Sequence, residues 1–171
     1  MSKMLSGFAR VLTVLLTCSC ISVASDNSTD LRNMLQELRG STHVFLMLVP
    51  YRSSFRVRID EVALPDVSCV YEVASGNSAF GETLDAIRTR VVLFDDPKPF
   101  VDLRVGVVFK RNEKIVQGFY FNDLGGYREV GGFSGELRVE GAPDLPSYLR
   151  SIAMKPGVSL VRDRHPRCPH A

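Results

Sequence analysis

The sequence predicts an α+β fold with a single domain, in which a mainly antiparallel sheet packs with about three helices. Several segments alternate apolar and polar residues, as half-buried strands do, and the loops between them have hairpin length, which favours antiparallel pairing. Other segments carry apolar residues at helical spacing. No linker separates two hydrophobic cores, so we expect one α+β domain at 25–160, between a leader at 1–24 and a C-terminal tail at 161–171.

Each predicted helix begins near a residue that can cap it and continues with one apolar stripe. We expect the first helix to end at Gly40, because glycine tolerates the left-handed conformation that closes a helix. The predicted starts are Ser28 or Thr29 for the first helix, Asn77 or Ser78 for the second, and Asp144 or Ser147 for the third.

Apolar patterns also predict the strands. The continuous run at 44–49 is typical of a strand covered on both faces, whereas alternation predicts strands with one wet face. The segment at 91–94 is expected to end before Asp95, because the prolines that follow cannot pair within a sheet. The alternating segments are 55–60, 67–73, 101–109 and 115–121, and the last predicted strand contains Leu137 and Val139.

Two further segments are predicted to turn the chain. Residues 110–114 form a hairpin loop carrying Asn112, and the glycine-rich stretch 125–132 forms two turns around a short extended piece. The glycine spacing in that stretch is similar to a P-loop, but Gly132 and Phe133 stand where a lysine and a hydroxyl are needed. We therefore expect no phosphate site and no cofactor.

The first 24 residues have the form of a secretory signal peptide: a positive start, an apolar run and small residues up to Ala24. We expect cleavage near Ala24 and a periplasmic or secreted product. The chain has 21 Lys and Arg against 19 Asp and Glu, and Lys3 and Arg10 belong to the leader. Cleavage therefore leaves equal numbers of basic and acidic residues, which argues against strong attraction to nucleic acid or anionic lipid.

Two alternatives to a cleaved leader stay open. The mature chain would be a lipoprotein if Cys18 or Cys20 carried lipid, although Thr17 fits a lipobox poorly at either cysteine. Contact with a membrane is expected only in that case. The other alternative is an N-terminal anchor that is not cleaved.

Cleavage also leaves two cysteines, Cys69 and Cys168, and in an oxidising compartment these most economically form one disulfide. A ring of about 100 residues stabilises the folded state by roughly 4.7 kcal/mol in a chain-entropy model. The bond would tether a proline-rich, charged tail that otherwise frays. The alternative is a soft-metal site formed by reduced Cys168 with His165 and His170.

The sequence favours no catalytic residue and no metal ligand. Asp60, Glu61, Asp95, Asp96 and Asp102 could supply the acid and base of a small hydrolase. However, neighbouring residues on a strand point to opposite faces, so Asp95 and Asp96 do not form a paired site. The carboxylate-dependent hydrolase stays an alternative function.

Aromatic and basic side chains in predicted loops are candidates for binding a protein partner, because Tyr and Arg are favoured anchors at interfaces. The plainer alternative is that Phe119 and Phe121 pack in the core and that the arginines form a solvated face. The candidates are Tyr51, Arg52, Arg56 and Arg58 near the first predicted hairpin, and Tyr120, Tyr127, Arg128 and Phe133 near the glycine-rich stretch.

Residues 104–109 (RVGVVF), 119–125 (FYFNDLG) and Gly132 resemble small exported bacterial proteins that neutralise secreted toxins. The resemblance implies a non-enzymatic periplasmic binding protein, an immunity-type inhibitor that covers the active site of an effector toxin. The alternatives are the hydrolase above and a structural protein of the cell envelope.

Overall fold

The computed structural model describes residues 25–51, 53–123, 130–163 and 167–168, with side chains from Arg32 onward. Eight strands form one antiparallel sheet in the order β3-β7-β6-β5-β4-β1-β2-β8, so β3 and β8 are its edges. The strands are β1 (His43–Leu48), β2 (Cys69–Ala74), β3 (Val91–Pro97), β4 (Val105–Arg111), β5 (Lys114–Phe121), β6 (Val130–Ser134), β7 (Leu137–Gly141) and β8 (Ser159–Asp163).

Four helices accompany the sheet: α1 (Ser25–Leu38), α2 (Leu64–Val67), α3 (Ser78–Arg90) and α4 (Leu145–Ala153). The three longer helices are the predicted ones, and the single-turn α2 was not predicted. The predicted start of the first helix is wrong, because α1 begins at Ser25 and both Ser28 and Thr29 lie within it. Asn77 caps α3, since its side chain accepts a 2.9 Å hydrogen bond from the Ala79 amide. The architecture confirms the predicted α+β class.

The main core lies between one face of the sheet and helices α1, α3 and α4. Phe109 stands at its centre, with its ring edge-on to Phe80 at 6.0 Å and to Phe119 at 6.4 Å. Phe119 and Phe121 are fully buried. These two aromatic side chains therefore pack in the core, as the plainer alternative held.

Two loop segments cover part of the other face, and we call them together the double loop: residues 53–63, which lead into α2, and residues 98–104, which connect β3 to β4. Ile59 and Leu103 from the two segments are buried on the sheet beside Leu64 and Phe133. This second core leaves Met47 half-buried. The sequence predicts that β1 is covered on both faces, but in the structure this second face is covered only in part.

The predicted strand at 55–60 is wrong, because this segment belongs to the double loop. The alternation in the sequence is not matched by burial, since Ile59 is buried on the sheet while Val57, two residues earlier, faces solvent. The predicted strand at 101–109 likewise begins only at Val105, and the predicted strand at 67–73 begins at Cys69, with Val67 in α2. Leu103 of the second segment donates its amide hydrogen to the Ile59 carbonyl oxygen of the first, so these two residues pair with each other and not with a strand.

The strand expected to end before Asp95 instead continues to Pro97, which pairs with Leu137 of β7 across a register shift. Proline is tolerated there because it is the last residue of an edge strand, next to a register shift. The sheet also extends through β8 to Asp163, past the expected domain boundary at 160. Leu137 and Val139 therefore do not belong to the last strand.

The described end of the glycine-rich stretch is a strand and not a turn. Gly131 and Gly132 lie in β6, which was not predicted, and residues 124–129 lie outside the described part of the chain. A Cβ atom at Gly132 would collide with the carbonyl oxygen of Tyr120. The glycine is thus required by the close approach of two backbones and not by a positive φ.

The predicted hairpin loop at 110–114 is confirmed. Asn112 and Glu113 form a two-residue turn between β4 and β5, with φ values of 49° and 68°. Such left-handed turns match the twist of the strands they join, and asparagine tolerates the conformation better than most residues.

The predicted disulfide is confirmed as well. Cys69 of β2 and Cys168 are bonded, with Cα atoms 5.5 Å apart, and both residues are buried. Because the Cys168 sulfur is bonded, it is not available as a metal ligand, and the other two proposed ligands, His165 and His170, lie outside the described residues.

Within the described residues, no helix combines the length and the apolar character needed to cross a bilayer. The leader at 1–24, with Cys18, Cys20 and Ala24, lies outside them. Export, cleavage and lipidation therefore stay predictions.

Candidate protein-interaction surface

Backbone hydrogen bonds join the two segments of the double loop. The Leu103 amide donates to the Ile59 carbonyl oxygen at 3.0 Å, and the Ile59 amide donates to Asp102 Oδ1 at 2.8 Å. The side chains of Ile59 and Leu103 are both buried. The two segments are therefore held to each other and to the sheet.

Asp102 and Arg104 extend this connection. Asp102 Oδ2 accepts hydrogen bonds from Arg104 Nη2 at 2.6 Å and Nε at 3.1 Å, and Arg104 Nη1 donates to the Ser53 carbonyl oxygen at 3.0 Å. The guanidinium carbon lies 5.2 Å from the centre of the Phe55 ring. Asp102 thus uses both carboxylate oxygens to order the loop.

A second ion pair joins the segments on the outside. Lys98 Nζ donates to Glu61 Oε1 at 2.5 Å and lies 4.0 Å from the centre of the Phe133 ring. The hydrogen bond from Lys98 lowers the pKa of the Glu61 carboxyl, with a further contribution from a backbone hydrogen bond of Glu61 itself. Both side chains are about one third exposed, so the pair contributes little free energy, about 0–1 kcal/mol.

The five carboxylates that were candidates for hydrolysis lie at two separate places, with Glu61 on the double loop beside Lys98. Asp60 is on the double loop, where its Oδ1 accepts hydrogen bonds from the Val62 and Ala63 amides and orders the entry to α2. Asp96 pairs with Arg138 at 3.0 Å on the edge strand β3, next to exposed Asp95. Asp60, Asp96 and Asp102 each have a structural contact of their own.

The most exposed large apolar side chains of the described residues lie on the double loop. Phe100, Val62 and Val57 are 84%, 80% and 77% exposed, the highest values among the large hydrophobic side chains of the described residues. Val62 and Phe100 line the same cavity, and neighbouring exposed apolar groups mark sites of interaction. All three belong to loops that are fixed from beneath by buried residues.

Arginine accompanies these apolar groups. The guanidinium carbon of Arg58 lies 3.0 Å from the centre of the Phe100 ring, and Arg56 is exposed close by in the sequence. In the part of the chain that the structure describes, neither arginine forms an ion pair with a carboxylate. Stacking on an aromatic ring holds a guanidinium in one orientation while its N–H groups stay available to a partner.

The structure separates the other predicted binding residues. Tyr120 and Phe133 stack at 5.2 Å beneath the double loop, where Phe133 is only 4% exposed and therefore supports the loop from below. Burial raises the pKa of Tyr120, with a smaller contribution from Glu61. Tyr51 lies elsewhere, with its ring 4.1 Å from the guanidinium carbon of Arg150. Arg52, Tyr127 and Arg128 lie outside the described residues.

A cavity of about 330 Å³ opens between the two segments and is lined by Arg58, Lys98, Phe100 and Phe133 together with neighbouring loop residues. Sequence reasoning identified Arg58 and Phe133 but missed Phe100, Val62 and Lys98. One signal was available for Phe100: a large apolar residue directly after a Pro-Lys-Pro turn is poorly placed to be buried in a strand.

No protein-family model, curated protein or solved structure significantly matches this chain. The surface must therefore be interpreted from its own chemistry.

Proposed function

We propose that the protein is exported and acts without catalysis, by binding another protein through the double loop. The partner is a secreted effector toxin, and the bound double loop covers the toxin's active site. This is the action of an immunity-type inhibitor.

The observation that carries the proposal is the exposure of Phe100, Val62 and Val57 on a rigid surface. A complex is stabilised when a partner covers an apolar side chain that faces water. The stabilisation is about 1.5–3 kcal/mol for a Phe or Val that becomes fully buried. A few such anchors, together with arginine, supply most of the binding energy at protein interfaces. The stacked Arg58 and Phe100 have this composition.

The rigidity of the double loop supports inhibition in particular. Ordering a flexible side chain at an interface costs about 0.5–1.5 kcal/mol, and a loop that is already ordered avoids part of that cost. Here Ile59, Asp102 and Leu103 hold the loop by buried contacts and hydrogen bonds. Inhibitors that insert a preformed loop into an enzyme cleft bind with small changes of shape.

The nature of the partner follows from the signal-like leader and from the resemblance of 104–109 and 119–125 to exported toxin-neutralising proteins. An inhibitor that acts outside the cytosol must meet an effector that is delivered there. The disulfide between Cys69 and Cys168 suits the same compartment.

The test uses the mature protein, residues 25–171, and the secreted effector enzymes encoded beside its gene. Calorimetry measures their binding, and turnover of each effector is measured with and without the protein. We expect one effector to be bound and inhibited, and Phe100→Ala to weaken binding at least tenfold.

Ile115→Ala is the matched control, because Ile115 is also exposed but lies on β5, outside the double loop. It should bind as the unmodified protein does. The proposal is wrong if none of these effectors is bound and inhibited, or if Phe100→Ala, folded with an unchanged melting temperature, binds as tightly as Ile115→Ala.

A further inference from the structure

A second cavity, of about 480 Å³, lies on the helical side of the sheet, on the opposite face from the double loop. It is bounded by the ends of β1 and β2, by the C-terminal turn of α4 and by the segment that the disulfide tethers. Clefts of about 300–1,000 Å³ are the usual size for small-molecule sites. The described residues that line it are Leu48, Pro50, Tyr51, Cys69, Tyr71, Arg150, Met154 and Arg167.

The floor of this cavity is apolar and its mouth carries exposed apolar side chains. Leu48, Cys69 and Tyr71 belong to the main core and form the floor. Tyr51 and Met154 stand at the mouth, where they are 56% and 39% exposed. A ligand that enters the cavity would cover both of these side chains, and the burial of apolar surface favours its binding.

The charged groups around the cavity already have partners. Arg150 Nη2 donates to Asp123 Oδ2 at 3.2 Å, and Arg167 has an interaction of its own. Burial raises the pKa of Tyr71, and two charges act on this hydroxyl in opposite directions, since Arg150 lowers its pKa and Asp163 raises it. A charged ligand would lose its hydration without meeting an unpaired counter-charge, which costs free energy. The cavity therefore favours an uncharged ligand.

Rings and sulfur-containing side chains form much of the lining. Tyr51 and Tyr71 contribute rings, and Cys69 and Met154 contribute sulfur. The flat guanidinium of Arg150 lies against the Tyr51 ring, with its carbon 4.1 Å from the ring centre. An aromatic ring gains from contact with other rings and with sulfur in addition to the burial of its area, and a saturated ring of the same size does not. This lining therefore favours an aromatic ligand.

We propose that this cavity binds a small uncharged aromatic molecule, with its ring system between Tyr71 on the floor and Tyr51 and Met154 at the mouth. Such a ligand matches the apolar floor, the ring and sulfur lining and the paired charges. The site is separate from the surface that binds the effector, and it does not depend on the proposed function.

The test is calorimetric titration of the mature protein, residues 25–171 with the disulfide intact, with naphthalen-2-ylmethanol. Three matched probes change one property each: 2-naphthoate carries a negative charge, naphthalen-2-ylmethylammonium carries a positive charge, and decahydronaphthalen-2-ylmethanol has saturated rings. We expect saturable one-to-one binding of naphthalen-2-ylmethanol. Its affinity should be at least tenfold higher than that of either ion and at least threefold higher than that of the saturated alcohol.

Variants locate the binding. Met154→Asp places a charge at the mouth of the cavity and should weaken binding of naphthalen-2-ylmethanol at least fivefold. Tyr51→Leu removes a ring but keeps an apolar side chain, and it should weaken binding at least threefold. Ile115→Asp makes the same kind of change as Met154→Asp at an exposed apolar position on β5, and it should bind as the unmodified protein does.

Three results would overturn the proposal. The first is that naphthalen-2-ylmethanol does not bind, and the second is that any of the three matched probes binds as tightly. The third is that Met154→Asp and Tyr51→Leu both bind naphthalen-2-ylmethanol as tightly as Ile115→Asp does.

Discussion

The guanidinium carbon of Arg58 lies 3.0 Å from the centre of the Phe100 ring, although the two residues are on different segments of the double loop. Neither side chain is buried, so this contact stabilises the fold only weakly. The contact instead fixes the exposed ring and the exposed cation relative to each other. A surface ordered in this way before binding loses less entropy when a partner docks.

The contact between Asp102 and the Ile59 amide should stabilise the fold and take no part in catalysis. Asp102→Ala leaves a partly buried amide without an acceptor, so we expect a loss of about 1–3 kcal/mol in the free energy of unfolding. Asp102→Asn keeps an acceptor and should lose less. Urea denaturation measures both, with Asp95→Asn at an exposed position as the control. Equal stability of Asp102→Ala and Asp95→Asn would contradict this role.

Removing the disulfide should destabilise the protein by about 2–5 kcal/mol, because the bond closes a long loop in the unfolded chain. The double variant Cys69→Ser and Cys168→Ser, compared with the oxidised protein by urea denaturation, measures the difference. Adding reductant to the unmodified protein should give a similar loss. A variant that unfolds at the same urea concentration as the oxidised protein would show that the bond contributes no stability.

The ion pair between Glu61 and Lys98 predicts a small dependence of stability on pH. The pKa of Glu61 is lower in the folded state, so its contribution is present above the unfolded pKa of about 4.3 and is lost as the pH falls through the folded value. At pH 7 the free energy of unfolding of the unmodified protein should exceed that of Glu61→Gln by at most about 1 kcal/mol. Below pH 4 this difference should shrink. Glu136→Gln, at an exposed turn, should show no such change. A difference that grows as the pH falls would contradict a lowered pKa of Glu61 in the folded state.

Gly132 should not tolerate even a methyl group. The Cβ of Gly132→Ala meets the backbone carbonyl of Tyr120, which cannot move without breaking the pairing of β5 with β6, so we expect a loss of at least about 1–3 kcal/mol. Gly76→Ala is the control, because nothing lies within 4 Å of its Cβ position. If the two variants melt at the same temperature, β6 does not approach β5 closely enough for a methyl group at Gly132 to meet the Tyr120 carbonyl.

The α+β class, the three longer helices, the hairpin at Asn112 and the disulfide could all be predicted, because each depends on local pattern or on the count of cysteines. The strand at 55–60 could not be rejected from its pattern. Its apolar residues alternate as those of a strand do, although in the structure Ile59 packs onto the sheet and Val57 faces solvent. The edge strand β8 was missed because its side chains are mostly exposed and give no apolar pattern.

The candidate surface was predicted in part, for a similar reason. A basic and aromatic segment containing Arg56 and Arg58 is visible in the sequence, but its position beside Phe100 depends on how residues 98–104 cross the sheet. Phe133 looked like a surface aromatic because its strand was interpreted as turns. Once it is placed on β6, it lies beneath Lys98 and is buried.

The most direct test of the proposed function is hydroxyl-radical labelling of side chains, read by mass spectrometry, in the free mature protein and in its complex with the inhibited effector. Phe100 is 84% exposed and should be labelled readily when the protein is free. We predict that labelling of Phe100 falls at least fivefold in the complex, while labelling of Ile115 on β5 is unchanged. Undiminished labelling of Phe100 in a complex that inhibits the effector would contradict binding through the double loop.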